Sequence, residues 1–281
     1  MDSRAPDQPC RRRFLPEVVR DWGWKVSSSI QSHWITVNGW RIHCRSSRTD
    51  HPGAPVVLVH GLVISSLYLI PLAECLSRDR VVHAPDQPGF GRSEGPARAL
   101  DVHGMARALI QWMNAAGIGE CHLVANSLGC QIATVMAVEA PERFLSVTLI
   151  GPTVDANAPG FWSQAWRILC DAPHEPMQLW INHAADQVRA GCRRIWAMIF
   201  HMLRDRIEER LPRVNQPTLV VHGKHDTSAP EGWVRQVASL LPAGQLRILP
   251  GWHCVHYTHP ALTAETIREF ITSVDRSEIK T

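Results

Sequence analysis

The chain has 281 residues, of which 45% are hydrophobic and 20% are charged, and its formal net charge is +3 at pH 7. This length is enough for one large domain, or for one domain with an insertion, that buries a substantial core. The charge is small and dispersed, without a basic surface interleaved with aromatic residues, so we expect no nucleic-acid partner.

The first thirteen residues are predicted to form a disordered tail (1–13), because they contain Pro6, Pro9 and Arg11-Arg12-Arg13 but few apolar side chains. No apolar segment follows the arginines as in a secretory signal, and no stretch has the length of a membrane span. The eight cysteines form no C-x-x-C pair, which is typical of reduced, buried thiols. We therefore expect a cytoplasmic protein without a membrane partner.

The sequence predicts eight β-strands. The first two flank Asn38-Gly39, a dipeptide typical of a two-residue hairpin turn. Most of the others are continuous apolar runs, typical of strands buried on both faces of a sheet. In chain order the predicted strands are His33–Val37, Trp40–Arg45, Val56–Val59, Arg80–Ala84, Cys121–Val124, Val147–Ile150, Thr218–Val221 and Gln245–Leu249.

Stretches with helical periodicity separate these strands. The predicted helices are Tyr68–Ser77, Val102–Ala116, Leu128–Glu139, Gly232–Leu241 and Ala261–Val274. Because strands and helices alternate, we predict an α/β fold with a mostly parallel sheet, helices on both of its faces, and an antiparallel hairpin at one edge.

The alternation is interrupted once, between the sixth and seventh strands. The interruption is too long for an ordinary connection, and its apolar residues recur at helical spacing from Val188 to Leu211. We predict a helical insertion over residues 155–212, forming a cap on a core built from residues 14–154 and 213–281. Four tryptophans of the insertion are expected either to pack it onto the sheet or to line a substrate pocket. They are Trp162, Trp166, Trp180 and Trp196.

Three polar side chains follow predicted strands and suggest catalysis. Ser127 lies between a strand and a helix, Asp226 follows the seventh strand, and His253 follows the eighth. In open α/β sheets, ligands bind at the carboxyl ends of the strands. The order serine, acid, histidine is that of the α/β-hydrolases and differs from the other two serine-hydrolase folds.

The chain resembles the α/β-hydrolase family through five motifs in the expected order, over residues 37–270. The resemblance implies an eight-stranded, mostly parallel sheet with the helical cap inserted after strand 6. One departure is Ala125, which stands where the nucleophile elbow usually has its first glycine; alanine is the next smallest residue, so we expect a tighter elbow. The motifs are His60-Gly61, Asp86-Gln87-Pro88-Gly89-Phe90-Gly91-Arg92-Ser93, Asn126-Ser127-Leu128-Gly129, His222-Gly223-Lys224-His225-Asp226, and His253 with Pro260 seven residues later.

The resemblance also implies the role of each site residue. Ser127 is the expected nucleophile, His253 the general base that removes its proton, and Asp226 the acid that orients the imidazole. The backbone N–H groups of Leu62 and Leu128 are expected to form the oxyanion hole, with Val63 as an alternative to Leu62.

Other interpretations of these residues remain open. Ser127 could be an ordinary helix N-cap. Asp155 could replace Asp226 as the acid, and His256 could replace His253. The spacing of His253, His256 and His259 resembles a metal site, but no further ligand motif supports one, so we expect no metal and no other cofactor.

These observations predict a serine hydrolase that acts on a small-to-medium, mostly apolar ester, lactone or related carbonyl substrate through an acyl-enzyme. Because Asn126 precedes the serine, an alternative is carbon–carbon bond hydrolysis of a meta-cleavage ring-fission product. A second alternative is a slow or non-catalytic small-molecule receptor on the same scaffold. The expected partners are a small-molecule substrate and, in a homodimer, a second copy of the chain.

Overall fold

The computed structural model describes residues 29–48, 51–62 and 64–278, so the predicted tail (1–13) lies outside the described residues. Eight strands form one sheet, as predicted. They are β1 (Ile30–Val37), β2 (Trp40–Ser47), β3 (Val56–Val59), β4 (Val82–Pro85), β5 (Cys121–Asn126), β6 (Phe144–Ile150), β7 (Thr218–Gly223) and β8 (Gly244–Leu249).

The strand order across the sheet is β1-β2-β4-β3-β5-β6-β7-β8. Strand β2 is antiparallel to both β1 and β4, and the other neighbours are parallel. The turn between β1 and β2 has positive φ at Asn38 (51°) and Gly39 (81°), as a primed hairpin turn requires. All side chains of the central strands β3 and β5 are buried, which explains their unbroken apolar character.

Ten α-helices in the described part of the chain accompany the sheet. One apolar cluster packs α2, α3 and α8 against one face of the sheet, and a second packs α1, α9 and α10 against the other. The helices are α1 (Ile70–Leu76), α2 (Val102–Ala115), α3 (Leu128–Glu139), α4 (Phe161–Asp171), α5 (Met177–Ala190), α6 (Cys192–Arg204), α7 (Ile207–Arg210), α8 (Glu231–Leu240), α9 (Val255–Thr258) and α10 (Pro260–Glu278).

Helices α4 to α7 lie between β6 and β7, and we call residues 155–212 the insertion. Its predicted apolar stripe does not form one continuous helix, because Gly191, with φ +77°, separates α5 from α6. Val188, at the beginning of that stripe, is 82% exposed.

The expectation for the tryptophans of the insertion is wrong. Trp162, Trp166 and Trp196 are 81%, 66% and 60% exposed, and Trp180 is also exposed. These side chains neither anchor the insertion to the sheet nor lie in a closed pocket. Other apolar side chains of the insertion join the core instead: Met198, Met202 and Leu211 are buried in the cluster that packs α2, α3 and α8 against the sheet. Arg194 adds a polar contact, because it donates to the carbonyl of Pro96 (2.6 Å).

Candidate active site

Ser127 lies on a sharp turn between β5 and α3. Its φ of +57° is in the left-handed region, which a residue with a side chain adopts only where the surrounding structure imposes it. Ser127 precedes the first residue of α3, yet its side chain makes no capping hydrogen bond. Its hydroxyl instead lies 3.5 Å from the hydroxyl of Thr153. The N-cap interpretation of this serine is therefore wrong, and the hydroxyl is held away from the helix.

The close approach of α3 to strand β3 explains the small residues around this turn. A Cβ atom added to Gly129 would lie 2.5 Å from the carbonyl oxygen of Val59, so no side chain fits there. Ala125 is fully buried within β5, beside β3 and β6. Its single methyl group is compatible with the turn, as its size suggests.

Asp226 and His253 form a hydrogen-bonded pair. Asp226 Oδ2 lies 2.9 Å from His253 Nδ1, while Asp226 Oδ1 accepts from the N–H of Ala229 (2.8 Å). The Asp226 side chain is fully buried, and the His253 side chain is 15% exposed. A buried carboxylate on Nδ1 fixes the ring tautomer and leaves Nε2 as the atom that exchanges a proton with a substrate.

The end of strand β6 lies between this pair and the serine. The N–H of Ser127 donates to the carbonyl of Ile150 (3.0 Å). A Cβ atom added to the next residue, Gly151, would lie 3.0 Å from both Asp226 Oδ2 and His253 Nδ1. The fold therefore brings the three predicted catalytic side chains to one edge of the sheet.

The alternative acid is not paired with the histidine. Asp155 accepts from the N–H of Asn157 (2.9 Å) and binds Arg167 (2.8 Å), which attaches α4 to the end of β6. The alternative base, His256, is fully buried, and among the described residues neither of its ring nitrogens has a hydrogen-bond partner. Its ring packs edge-on against Tyr68 (4.7 Å between centroids).

Two carboxylates from the insertion hold the loops that carry Asp226 and His253. Asp171, at the end of α4, accepts from the N–H groups of Thr227 (3.1 Å) and Ser228 (2.8 Å), directly after Asp226. Glu175 accepts from the N–H of Cys254 (2.9 Å), directly after His253. We call Asp171 and Glu175 the carboxylate clamp. Sequence reasoning missed both, because no motif marks a residue that acts through backbone contacts.

The aromatic ring next to the histidine also contacts the insertion. Trp252 stacks on His174, with ring centroids 3.6 Å apart and a 12° angle between planes. This contact lies between the two members of the carboxylate clamp along the chain. The bulky ring is therefore close to the site, as its position in the sequence suggests.

The clamp also affects the protonation of His253. Burial alone would lower the pKa of His253, but the carboxylates of Asp226, Asp171 and Glu175 raise it to about 9. Burial raises the pKa of Glu175 itself. Burial also raises the pKa of the adjacent Cys254 thiol, which stays protonated and does not compete as a nucleophile.

The predicted oxyanion loop is attached to the elbow by a short hydrogen-bond chain. The N–H of Gly61 donates to the hydroxyl of Tyr68 (2.8 Å), which donates to Asn126 Oδ1 (2.7 Å). The Asn126 amide in turn donates to the carbonyl of Ile150 (3.0 Å). A Cβ atom added to Gly61 would lie 3.2 Å from Cβ of Ser127, so the loop passes directly beside the serine.

Leu62 and Leu128 stay predicted oxyanion-hole donors. Leu62 follows Gly61 in this loop, and Leu128 is the first residue of α3, where a backbone N–H has no intrahelical acceptor. Val63 lies outside the described residues.

The buried loop around Asp86 supports the same edge. Asp86 accepts from the N–H of Ser66 (2.7 Å) and of Arg92 (2.8 Å), and lies 2.8 Å from His43 Nδ1. Burial would raise its pKa, but the bond to His43 and the charge of Arg45 hold it well below its usual range. His60 Nε2 accepts from the N–H of Gln87 (2.8 Å), which joins this loop to the oxyanion loop. His60 is therefore structural.

Among the described residues, one group places three potential metal ligands close together. Atoms of Asp171, Asp226 and His253 lie within 4.8 Å of one another. The carboxylate oxygens of Asp171 and Asp226 are occupied by backbone N–H groups, by the Ser228 hydroxyl and by His253. We interpret the group as a carboxylate environment for the histidine.

Comparisons with known proteins agree with this fold. The family model described as alpha/beta hydrolase fold matches residues 54–184. RutD of Variovorax paradoxus, a carbamate hydrolase by name, is 30% identical over 79% of this chain and 93% of its own. The 2-hydroxymuconate semialdehyde hydrolase of a Pseudomonas species is 26% identical over 81% of this chain and 90% of its own. The enol-lactonase of Burkholderia xenovorans has a similar structure, with a TM-score of 0.73 at 18% identity, over 85% of this chain and 100% of its own.

The chain belongs to the α/β-hydrolase family, and the predictions of family and fold are confirmed. The prediction that it is a hydrolase is also confirmed. No described helix is both long and apolar enough to cross a bilayer.

Proposed function

We propose that the protein is a serine hydrolase that cleaves a small-to-medium ester or lactone through an acyl-enzyme formed on Ser127. The observation that carries this proposal is the pairing of His253 with buried Asp226 beside a serine whose strained turn leaves its hydroxyl uncapped. A serine hydroxyl is a weak nucleophile at neutral pH and needs such a base.

The reaction follows from the proposed roles. Nε2 of His253 removes the proton of Ser127 as Oγ attacks the carbonyl carbon, and Asp226 stabilises the resulting imidazolium. The N–H groups of Leu62 and Leu128 hold the negative oxygen of the tetrahedral intermediate. The leaving alkoxide takes the proton from His253. Water then attacks the acyl-enzyme with His253 as base, releasing the acid and restoring the Ser127 hydroxyl.

Hydrolysis of nitrophenyl esters of short acids tests this proposal. The test must distinguish two hydroxyl groups, because the Thr153 hydroxyl lies only 3.5 Å from that of Ser127. We expect Ser127→Ala to lose at least about a thousandfold in kcat. Thr153→Val removes the neighbouring hydroxyl and serves as the matched control, with a far smaller loss. Retention of full activity by Ser127→Ala would exclude the proposal.

Carbon–carbon bond hydrolysis is the second candidate, favoured by the similarity to the 2-hydroxymuconate semialdehyde hydrolase. The residue that suggested it, Asn126, is 2% exposed, and both ends of its amide are bonded to Tyr68 and Ile150. Asn126 therefore serves the elbow and gives this reaction no support. Parallel assays of a vinylogous diketone acid and of simple esters separate the two candidates by their ratio of kcat/KM.

A further inference from the structure

The insertion has an unusual distribution of apolar side chains. Among the described residues, the exposed large hydrophobic side chains other than Trp34, Ile248 and Leu262 lie on α4, α5 and α6. Scattered exposed apolar residues are normal, but a contiguous group of large ones marks an interaction surface.

Two helices form a continuous part of this surface. On α4 the residues are spaced by four and then three, and on α6 by four, so each set lies on one side of its helix. Phe161 joins the two sets, because its ring centroid lies 5.1 Å from that of Trp162 and 5.8 Å from that of Trp196. We call this surface the aromatic face; its residues are Trp162, Trp166, Leu169, Trp196 and Phe200.

Helix α5 leaves part of its apolar surface in water. It buries Leu179 and Ala190 together with polar Asn182 and Asp186, and it exposes three large apolar side chains, Met177, Ile181 and Val188. Leaving large apolar side chains in water forgoes the free energy that burying them would provide. Its outward apolar stripe has no explanation in the packing of the described residues.

The charges on these helices have one sign at the surface. Within α4 to α6, which the structure describes completely, the exposed charged residues are Arg193 and Arg204. Arg193 precedes Trp196 by three residues, and the Arg204 guanidinium lies 3.9 Å from the centroid of the Phe200 ring. The carboxylates of the same helices, Asp171 and Asp186, are buried.

We propose that the aromatic face docks onto the surface of an anionic phospholipid bilayer. Tryptophan and phenylalanine insert at the level of the headgroups, and flanking arginines bind the anionic phosphates. A symmetric contact with a second copy would bring Arg193 and Arg204 of both copies to one interface. Helices α4 to α6 have no exposed carboxylate that could neutralise these charges. The face is therefore complementary to an anionic surface and not to itself.

This proposal changes the expectation from the sequence that the protein has no membrane partner. That expectation rested on the length of apolar segments, which concerns spanning and not surface binding. The helix that carries Trp162 and Trp166 also ends at Asp171 of the carboxylate clamp. Docking would therefore place the candidate active site next to a bilayer.

Co-sedimentation of the full chain with lipid vesicles tests the proposal. We expect binding to vesicles of equal parts phosphatidylcholine and phosphatidylglycerol, weaker binding to phosphatidylcholine alone, and loss of binding in high salt. Trp162→Ser/Trp166→Ser should lower the partition coefficient at least about tenfold, since each ring buries roughly 150–250 Å² on insertion. Trp34→Ser, at an exposed tryptophan outside the insertion, should change it little.

A second pair of variants tests the charges. Arg193→Gln/Arg204→Gln should weaken binding to the anionic vesicles by roughly fivefold for each arginine. Arg107→Gln, the same substitution at an exposed arginine of α2, is the control. Each double variant should retain the melting temperature of the unmodified protein and its turnover of a water-soluble ester.

Three outcomes would overturn the proposal. The first is equal vesicle binding by Trp162→Ser/Trp166→Ser and Trp34→Ser. The second is a dimer in light scattering that this double variant dissociates, which would make the face a contact between copies. The third combines two observations: the unmodified protein does not bind vesicles, and Trp162→Ser/Trp166→Ser melts at a much lower temperature. That result would mean that the chain itself covers the aromatic face.

Discussion

Glu175→Gln should shift the pH dependence of the proposed reaction without displacing His253, the proposed general base. The glutamine keeps an oxygen that accepts from the N–H of Cys254 (2.9 Å), so the loop geometry is preserved while the negative charge is lost. That charge is one cause of the raised pKa of His253. Removing it should lower this pKa.

The size of the shift follows from the separation of the two groups. Because Glu175 is bonded to the backbone of the residue after His253, its carboxylate lies roughly 7 Å from the imidazole, and Coulomb's law with an effective dielectric constant of about 20 gives about 2.4 kcal/mol. The His253 side chain is 15% exposed, so solvent screening reduces this to about 1 pKa unit.

The assay is the pH dependence of kcat/KM for an activated ester. His253 must be neutral to act as base, and its pKa of about 9 means that activity rises with pH well above 6.5. Glu175→Gln should move this rise about one pH unit lower and leave the upper plateau similar. Glu209→Gln removes an exposed carboxylate elsewhere in the insertion and should move nothing. An unchanged profile in Glu175→Gln would refute the electrostatic role of the clamp.

Three further predictions concern the scaffold. Tyr68→Phe breaks the link between Gly61 and Asn126 and should lower kcat about tenfold with little change in KM, measured on the same ester. Gly129→Ala forces a methyl group against a carbonyl of β3 and should destabilise the protein by roughly 1–3 kcal/mol in thermal or urea unfolding; unchanged stability would contradict the close approach. Burial lowers the pKa of His256 from 6.5 to about 3 in the folded protein. As the pH drops below 6.5, His256 is therefore protonated in the unfolded chain but not in the folded protein, and the free energy of unfolding falls. His256→Leu should make that fall less steep by about 1.4 kcal/mol per pH unit in urea unfolding, and an identical slope would contradict this reasoning.

Much of the core was predictable from the sequence because its signals are local. All eight strands were predicted, since runs such as Val56–Val59 are buried on both faces and carry an unbroken apolar pattern. The chain order of Ser127, Asp226 and His253 was equally readable, because each follows a strand end. Their proximity results from parallel strands ending at one edge of the sheet.

The insertion was predictable in position but not in arrangement. Most of its predicted apolar stripe packs onto the core, as Ile207 and Leu211 show, but Val188 is 82% exposed because the chain turns at Gly191 between α5 and α6. Periodicity shows that a helix has two faces and does not show which of them is covered. Asp171 and Glu175 escaped prediction for a related reason: their partners are backbone groups of distant loops.

Covalent labelling tests most directly whether Ser127 is the nucleophile. A fluorophosphonate reacts when the activated oxygen attacks phosphorus and fluoride leaves, so the site of attack is recorded by mass. Peptide mapping of the labelled full chain should find the phosphonyl group on Ser127 and none in Ser127→Ala. A folded protein that stays unlabelled at Ser127, or a label that persists in Ser127→Ala, would exclude Ser127 as the nucleophile.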